Sequence, residues 1–64
     1  MKNRLVDLRA ERGLTQDMLA RDVETSRQTI ISIERGRYDP GLKLAIRIAR
    51  VFDLAVEDVF FIDD

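Results

Sequence analysis

Apolar residues recur at intervals of three or four along most of the chain, a spacing that predicts helices with one buried face. The first such segment contains Leu5 and Leu8 and reaches Gly13, a residue type that commonly closes helices in the left-handed conformation. A first helix is therefore expected from about Asn3 to Arg12.

Two hydroxyl residues mark the starts of the next two helices. Thr15 can accept a hydrogen bond from the free amides of a second helix that ends near residue 22 or 23, and Ser26 can do the same for a third helix. Gly36 is suited to close the third helix. Only residues 24–25 separate the two helices, so the pattern predicts a helix, a tight turn and a helix. The buried positions of the second helix are Leu19, Ala20 and Val23.

The segment RYDPG interrupts the helical pattern, because proline disfavours the helical conformation of the residue before it. A fourth helix follows, with an apolar side and a basic side. The apolar side comprises Leu44, Ala45, Ile48, Ala49 and Phe52, and the basic side comprises Lys43, Arg47 and Arg50. A short fifth helix is expected near Val56–Val59, and the strand-forming stretch FFIDD can pair with the N-terminal MKN as a two-stranded ribbon. These elements predict an all-α fold of five helices in a single domain, residues 1–64.

Composition narrows the range of functions. At 64 residues with 45% apolar composition, the chain can form one small core. It has no cysteine and no histidine, which excludes disulfides, thiol nucleophiles and thiolate or imidazole metal ligands. No apolar run approaches the roughly 18 residues that span a bilayer, and the N-terminal segment is charged. We therefore expect a soluble, cytoplasmic protein with no cofactor and no membrane partner.

The charge is unevenly distributed along the chain. The net charge of −1 argues against a nucleic-acid partner when it is taken as a single number. Residues 25–50, however, carry six basic and two acidic side chains, whereas residues 51–64 carry five acidic side chains and no basic one. The middle of the chain is therefore positively charged, although segments this short also fluctuate in charge by chance.

The stretch TSRQTIISIERG forms a helix with two different faces. On a helical projection one face holds Ser26, Thr29, Ile30 and Ile33, which we interpret as the core side, and the other holds Arg27, Gln28, Ile31, Ser32 and Arg35. In the major groove of DNA an arginine can donate two bonds to guanine, a glutamine can pair with adenine, and an isoleucine can contact a thymine methyl group. We predict that Arg27, Gln28, Ile31 and Ser32 contact bases. The alternative is an ordinary solvated helix surface.

The run LTQDMLARDVETSRQTIISIERGRYDP resembles the Cro/cI-type helix-turn-helix of the phage repressor and XRE family, and the likeness extends through IARVFDLAVEDVF. The resemblance implies a compact lambda-repressor-like bundle whose recognition helix, residues 26–35, enters the major groove of double-stranded DNA. It also implies phosphate contacts at the start of the second helix, in the turn and around the loop into the fourth helix. These phosphate-binding candidates are Gln16, Thr25, Arg35, Arg37 and Lys43. In the family pattern an arginine of the first helix pairs with the glutamate that ends the third, here Arg9 and Glu34, as a structural salt bridge.

Two features depart from the family pattern. Glu24 occupies the turn position that usually holds glycine, so a left-handed backbone there would cost about 1 kcal/mol. Its side chain also places a negative charge near the expected DNA surface. The sequence also ends soon after the predicted fold. We therefore expect no separate ligand-binding domain.

A two-fold dimer reads two half-sites about 34 Å apart, whereas one helix-turn-helix reads only a few base pairs. We therefore expect a homodimeric transcriptional regulator, most simply a repressor, on a short inverted repeat. The candidate interface comprises Val51, Leu54, Val56, Val59, Phe60, Phe61 and Ile62, some of which must also complete the core. Two alternatives stay open: the antitoxin of a toxin pair, and a protein-interaction module that has lost DNA binding. We do not expect an enzyme, because carboxylates such as Asp53 and Glu57 lack an evident cleft.

Overall fold

The helices follow one another with short connections, and the two chain ends meet in a small ribbon. The computed structural model describes residues 1–62, so Asp63 and Asp64, the end of the predicted strand-forming stretch, lie outside the described residues. The element order is β1 (Lys2–Asn3), α1 (Leu5–Arg12), α2 (Gln16–Asp22), α3 (Arg27–Glu34), α4 (Leu42–Val51), α5 (Val56–Val59) and β2 (Phe60–Phe61). The predicted five-helix fold with a terminal two-stranded ribbon is confirmed.

Side-chain caps fix the starts of α2 and α3. The Thr15 hydroxyl accepts from the Met18 amide at 3.0 Å, and the Ser26 hydroxyl accepts from the Thr29 amide at 3.1 Å. The predicted start of the first helix is wrong by two residues. Asn3 belongs to β1, and α1 begins at Leu5, whose amide donates to the Asn3 side chain at 3.1 Å.

Each of the first four helices is followed by a residue with a left-handed backbone conformation. The left-handed residues there are Gly13, Glu24, Gly36 and Asp53, with φ of 65°, 60°, 73° and 56°. After α2, for example, the Thr25 amide donates back to the Ala20 carbonyl at 2.9 Å, which is the Schellman closure. Glu24 therefore does adopt the conformation that glycine would adopt without strain.

The core lies between the helices, with α5 and the ribbon closing one end. The buried apolar residues are Leu5, Leu8, Leu19, Ala20, Val23, Ile30, Ile33, Ala45, Ile48, Ala49, Phe52, Val59 and Phe60. The predicted core face of the third helix is correct for Ile30 and Ile33 and wrong for Ser26, which is exposed because it caps the helix. Leu44 is only half-buried and packs at the edge of the core.

Two residues predicted as candidates for a dimer interface belong to the monomer core instead. Val59 is fully buried and Phe60 nearly so, because α5 packs on α4 and the Val59 carbonyl accepts from the Arg4 amide at 3.0 Å. Neither side chain is available to a second subunit. The other candidates keep exposed surface: Val51, Leu54 and Val56 are half-buried, and Phe61 and Ile62 are exposed.

The ribbon joins the N terminus to both the C-terminal end and α3. Its strands are antiparallel, with Lys2 opposite Phe61 and Asn3 opposite Phe60. The Asn3 side-chain Nδ2 also donates to the Ile33 carbonyl at 2.9 Å, which connects β1 to the last turn of α3. Within residues 1–62 no helix is long and apolar enough to cross a membrane.

Candidate nucleic-acid interface

The α2–turn–α3 unit presents one face of α3 to solvent. Glu24 and Thr25 form the turn, and Ile30 and Ile33 hold the inner face of α3 in the core. On the outer face, Arg27, Gln28 and Arg35 are exposed, while Ile31 and Ser32 are half-buried. The structure therefore places all four predicted base-reading residues on the side of α3 that faces away from the core.

A mostly buried ion pair fixes the end of α3 against α1. Arg9 Nε lies 2.5 Å from Glu34 Oε2, and its Nη2 donates to Glu34 Oε1 at 3.0 Å. A third bond joins Arg9 to the Leu14 carbonyl at 3.0 Å. The predicted partners are thus brought together, and the bidentate geometry restricts the rotation of α3 relative to α1.

Gln16 joins the same network. Its side-chain nitrogen donates to Glu34 Oε1 at 3.0 Å, so the first residue of α2 is bonded to the last residue of α3. The amide nitrogen has a second hydrogen, which stays available to a phosphate oxygen. Gln16 and Arg27 also line one surface depression together with Asp17, whose carboxylate limits the positive potential there.

The outer face of α3 is divided into two rows, each beside its own depression. Arg27, Ile31 and Arg35 border the first, on the side of α1 and Gln16. Gln28 and Ser32 border the second, together with Tyr38. The predicted base-reading residues are therefore split into a row rich in arginine and a row of uncharged polar groups.

The residues predicted to bind phosphate keep surface that is open to solvent. Arg35, Arg37 and Lys43 are exposed, and Thr25 in the turn is half-buried. Within residues 1–62 the guanidinium groups of Arg27, Arg35 and Arg37 form no hydrogen bond or ion pair. They are therefore free to bind an anionic ligand.

The negative charge of Glu24 is partly neutralised by a contact that the sequence did not reveal. Arg47 of α4 lies 3.3 Å from the Glu24 carboxylate. The Glu24 side chain is largely exposed and that of Arg47 partly so, and the pair therefore contributes little to stability, but it reduces repulsion of a phosphate near the turn.

Two residues beside the outer face of α3 were also missed. Val6 is 54% exposed on α1 and lines the first depression, and Tyr38 is 50% exposed in the loop after α3 and lines the second. The sequence could have indicated Tyr38, because an aromatic residue there lies between Arg37 and the proline of the loop. Val6 lies off the buried stripe of Leu5 and Leu8 on a helical projection, so periodicity marks it as exposed, but nothing local to it indicated that it lies near α3.

A capped helix, a left-handed turn and a second helix whose outer face carries free cations define a helix-turn-helix DNA-binding protein. Residues 5–59 match the helix-turn-helix family model, and the chain belongs to this XRE-type family of transcriptional regulators.

Relatives match the chain over its whole length. An HTH-type transcriptional regulator from Methanocaldococcus jannaschii is 53% identical over 64 residues, which cover 100% of this chain and 97% of that protein. The HTH-type transcriptional regulator YgzD from Bacillus subtilis is 42% identical over 64 residues, with the same shares.

Solved structures share the fold. The restriction-modification controller protein C.AhdI from Aeromonas hydrophila has a TM-score of 0.80 and 30% identity, covering 89% of this chain and 86% of that chain. The clp gene regulator ClgR from Corynebacterium glutamicum has a TM-score of 0.77 and 28% identity, covering 84% and 57%. The chain is thus a transcriptional regulator with a helix-turn-helix DNA-binding domain.

Proposed function

We propose that two copies of this chain bind a short inverted repeat in double-stranded DNA and repress transcription from it. The observation that carries the proposal is the outer face of α3. It combines free arginines with Gln28 and Ser32 on a helix whose orientation is fixed by the Arg9–Glu34 pair. A protein that had lost DNA binding would have no need for unpaired arginines on a helix held this rigidly.

The side chains of the two rows on α3 recognise the bases. Arg27 stands at the first helical position, where it can donate two bonds to guanine, and Gln28 beside it can pair with adenine. Ser32, one turn further, bonds to several bases, and Ile31 lies against a thymine methyl group. Each good bidentate pair discriminates against a wrong base by roughly 1–3 kcal/mol.

Phosphate contacts hold the helix in the groove without reading sequence. Gln16 and Thr25 approach the backbone near the starts of α2 and α3, while Arg35, Arg37 and Lys43 approach it from the other end of α3 and the following loop. Helix N-termini and arginine side chains both favour phosphate. Protein groups therefore contact the DNA phosphates on both sides of the groove that α3 enters.

The dimensions of the target support dimerisation. Half-sites one helical turn apart are separated by about 34 Å, and one subunit measures 31 × 22 × 20 Å. Two subunits in contact can therefore place their α3 helices in successive major grooves. Phe61 and Ile62, with the half-buried Leu54 and Val56, are among the apolar residues that the monomer leaves uncovered, and we assign such a contact to them.

The first experiment is selection of bound sequences from a random duplex pool at near-physiological salt, followed by sequencing. Low salt would let phosphate contacts alone produce binding. We expect enrichment of an inverted repeat whose half-site centres are about one helical turn apart. If no sequence is enriched and Arg27→Ala protein behaves like the wild type, the proposal is wrong and a protein partner becomes the better hypothesis.

Three variants separate base reading from phosphate binding on the selected duplex. Arg27→Ala and Gln28→Ala should lower affinity for the repeat far more than affinity for random DNA. Arg37→Ala should weaken both alike and reduce the salt slope by about 1. Arg21→Ala is the matched control, because Arg21 is an exposed arginine of α2 outside both depressions. Equal losses on both duplexes for all three variants would contradict the assignment.

The direction of regulation is tested by transcription in vitro. A promoter that carries the selected repeat across its polymerase-binding region should yield less transcript as the protein is added, while the same promoter with a scrambled repeat should be unaffected. An increase in transcript from the intact repeat would make the protein an activator.

A further inference from the structure

The depression between α1 and the arginine row of α3 has two apolar side chains in a lining that is otherwise polar or charged. It is lined by Val6, Gln16, Arg27, Ile31, Glu34 and Arg35. Val6 and Ile31 are its apolar members, and Val6 is 54% exposed although the neighbouring Leu5 and Leu8 are buried. Neither side chain belongs to the buried core: Val6 is exposed beside the outer face of α3, and Ile31 is the half-buried apolar member of that otherwise charged and polar face.

The charged residues of the lining limit what can occupy the depression. Arg27 and Arg35 carry free guanidinium groups that attract phosphate and the acceptor edge of guanine. A protein segment that supplied only apolar side chains would leave these two cations without partners, whereas DNA supplies partners for both. The apolar group that a base pair presents in the major groove is the C5-methyl of a pyrimidine.

We propose that Val6 and Ile31 form a binding site for the C5-methyl group of one pyrimidine in each half-site, next to the guanine that Arg27 contacts. This inference rests on the proposed function and adds α1 to the elements that determine specificity. The ligand is defined by its methyl group, so thymine and 5-methylcytosine both satisfy the site. Cytosine and uracil, which lack the methyl group, do not.

The expected effect is modest and measurable. Removing one methyl group from an apolar contact should weaken binding by about fourfold, and removing it from both half-sites by about fifteenfold. Phosphate contacts and the hydrogen bonds to other bases are unchanged by this substitution, so the salt slope should stay the same.

The test uses the full chain and the duplex enriched by selection. Each thymine of the half-site is replaced in turn by deoxyuridine, which removes the methyl group and leaves the base pairing intact. We expect one position at which affinity falls about fourfold. Placing cytosine and then 5-methylcytosine at that position should show the same ratio in favour of the methylated base.

Variants then assign the methyl effect to the depression. With Val6→Ala or Ile31→Ala protein, the ratio between thymine and deoxyuridine should fall toward one. Val6→Thr keeps the branched shape of the side chain at this exposed position, so it guards against a folding defect in Val6→Ala. Thermal unfolding of each variant also monitors the fold. Met18→Ala, an exposed apolar residue of α2 outside the depression, should keep the full ratio.

The outcomes separate this inference from the proposed function. If an inverted repeat is enriched but no deoxyuridine substitution weakens binding, the methyl site is wrong and the regulator stands. The same holds if a methyl effect exists and survives unchanged in both the Val6→Ala and Ile31→Ala proteins. If no repeat is enriched, both proposals fail together.

Discussion

Glu24 and Asp53 close α2 and α4 in a conformation that favours glycine. Left-handed backbone costs an L-residue with a side chain about 1–2 kcal/mol, less for aspartate, which visits this region more readily. At Glu24 the carboxylate gains an ion pair with Arg47, but an exposed pair contributes only about 0–1 kcal/mol. Backbone strain at the turn therefore outweighs the contact that accompanies it.

Glu24→Gly should stabilise the protein. Relief of the left-handed strain is partly offset by the greater freedom of glycine in the unfolded chain, leaving a gain of about 0.5–1 kcal/mol. The measurement is the urea midpoint of unfolding, and Asp53→Gly should give a smaller gain. A lower midpoint for Glu24→Gly would mean that the Arg47 contact outweighs the backbone.

Gly13→Ala is the matched control for this prediction. An added Cβ at Gly13 would meet nothing within 4 Å, so its effect reports φ alone. We expect a loss of about 1 kcal/mol. If Gly13→Ala has no effect, strain at these helix ends is negligible and the reasoning for Glu24 fails with it.

At the scale of elements, the position of α3 determines how the proposed base-reading residues are presented to DNA. Hydrogen bonds between side chains hold its C-terminal end. Arg9, Gln16 and Glu34 bond α1, α2 and α3 to one another around a carboxylate that is 5% exposed. A carboxylate this buried is stable only with partners, since an unpaired buried charge is costly.

Arg9→Met should therefore destabilise the fold by about 2–4 kcal/mol, because it leaves the Glu34 carboxylate without its cation and removes a bond to the Leu14 carbonyl. Chemical denaturation gives the free energy of unfolding. Arg9→Met combined with Glu34→Leu should recover part of the loss, since the buried charge is then absent. A double variant no more stable than Arg9→Met alone would assign the loss to the Leu14 bond and packing.

How far the sequence predicts these elements depends on the range of the interaction. Caps and glycine closures are local, so Thr15, Ser26, Gly13 and Gly36 placed three helices to within a few residues. Asp53 carries a weaker local signal, because aspartate adopts the left-handed conformation more readily than most residues but less readily than glycine. The Arg9–Glu34 pair was reached only through family resemblance, since 25 residues separate its members.

The surface was harder to predict than the core. Periodicity identified Ile30 and Ile33 as buried, yet it could not decide which apolar residues of the C-terminal stretch complete the core, and Val59 and Phe60 proved to do so. Val6 illustrates a second limit: periodicity places it off the buried stripe of Leu5 and Leu8, yet it could not show that Val6 shares a depression with Ile31 of α3. In both cases the outcome depends on how elements pack, which a single sequence does not encode locally.

At the scale of the whole molecule, apolar surface is left uncovered at the C-terminal end of the described chain. Ile62 is 78% exposed and Phe61 is 37% exposed, next to a ribbon of only two strands. In a monomer these side chains contribute little to the free energy of folding, because they stay in contact with water, whereas a second subunit would bury them. Such a surface fits the two-fold association that an inverted repeat requires.

Replacing both residues, Phe61→Ser with Ile62→Ser, should weaken dimerisation while leaving the fold intact, because neither side chain belongs to the core. Sedimentation equilibrium should show a shift toward monomer at a concentration where the wild type is dimeric. On DNA the variant should lose most of its advantage for the full repeat over a single half-site. Met18→Ser, which exposes a comparable polar change on α2, should remain dimeric. If the double variant is as dimeric as the wild type, the interface lies elsewhere, and Leu54 and Val56 are the next positions to change.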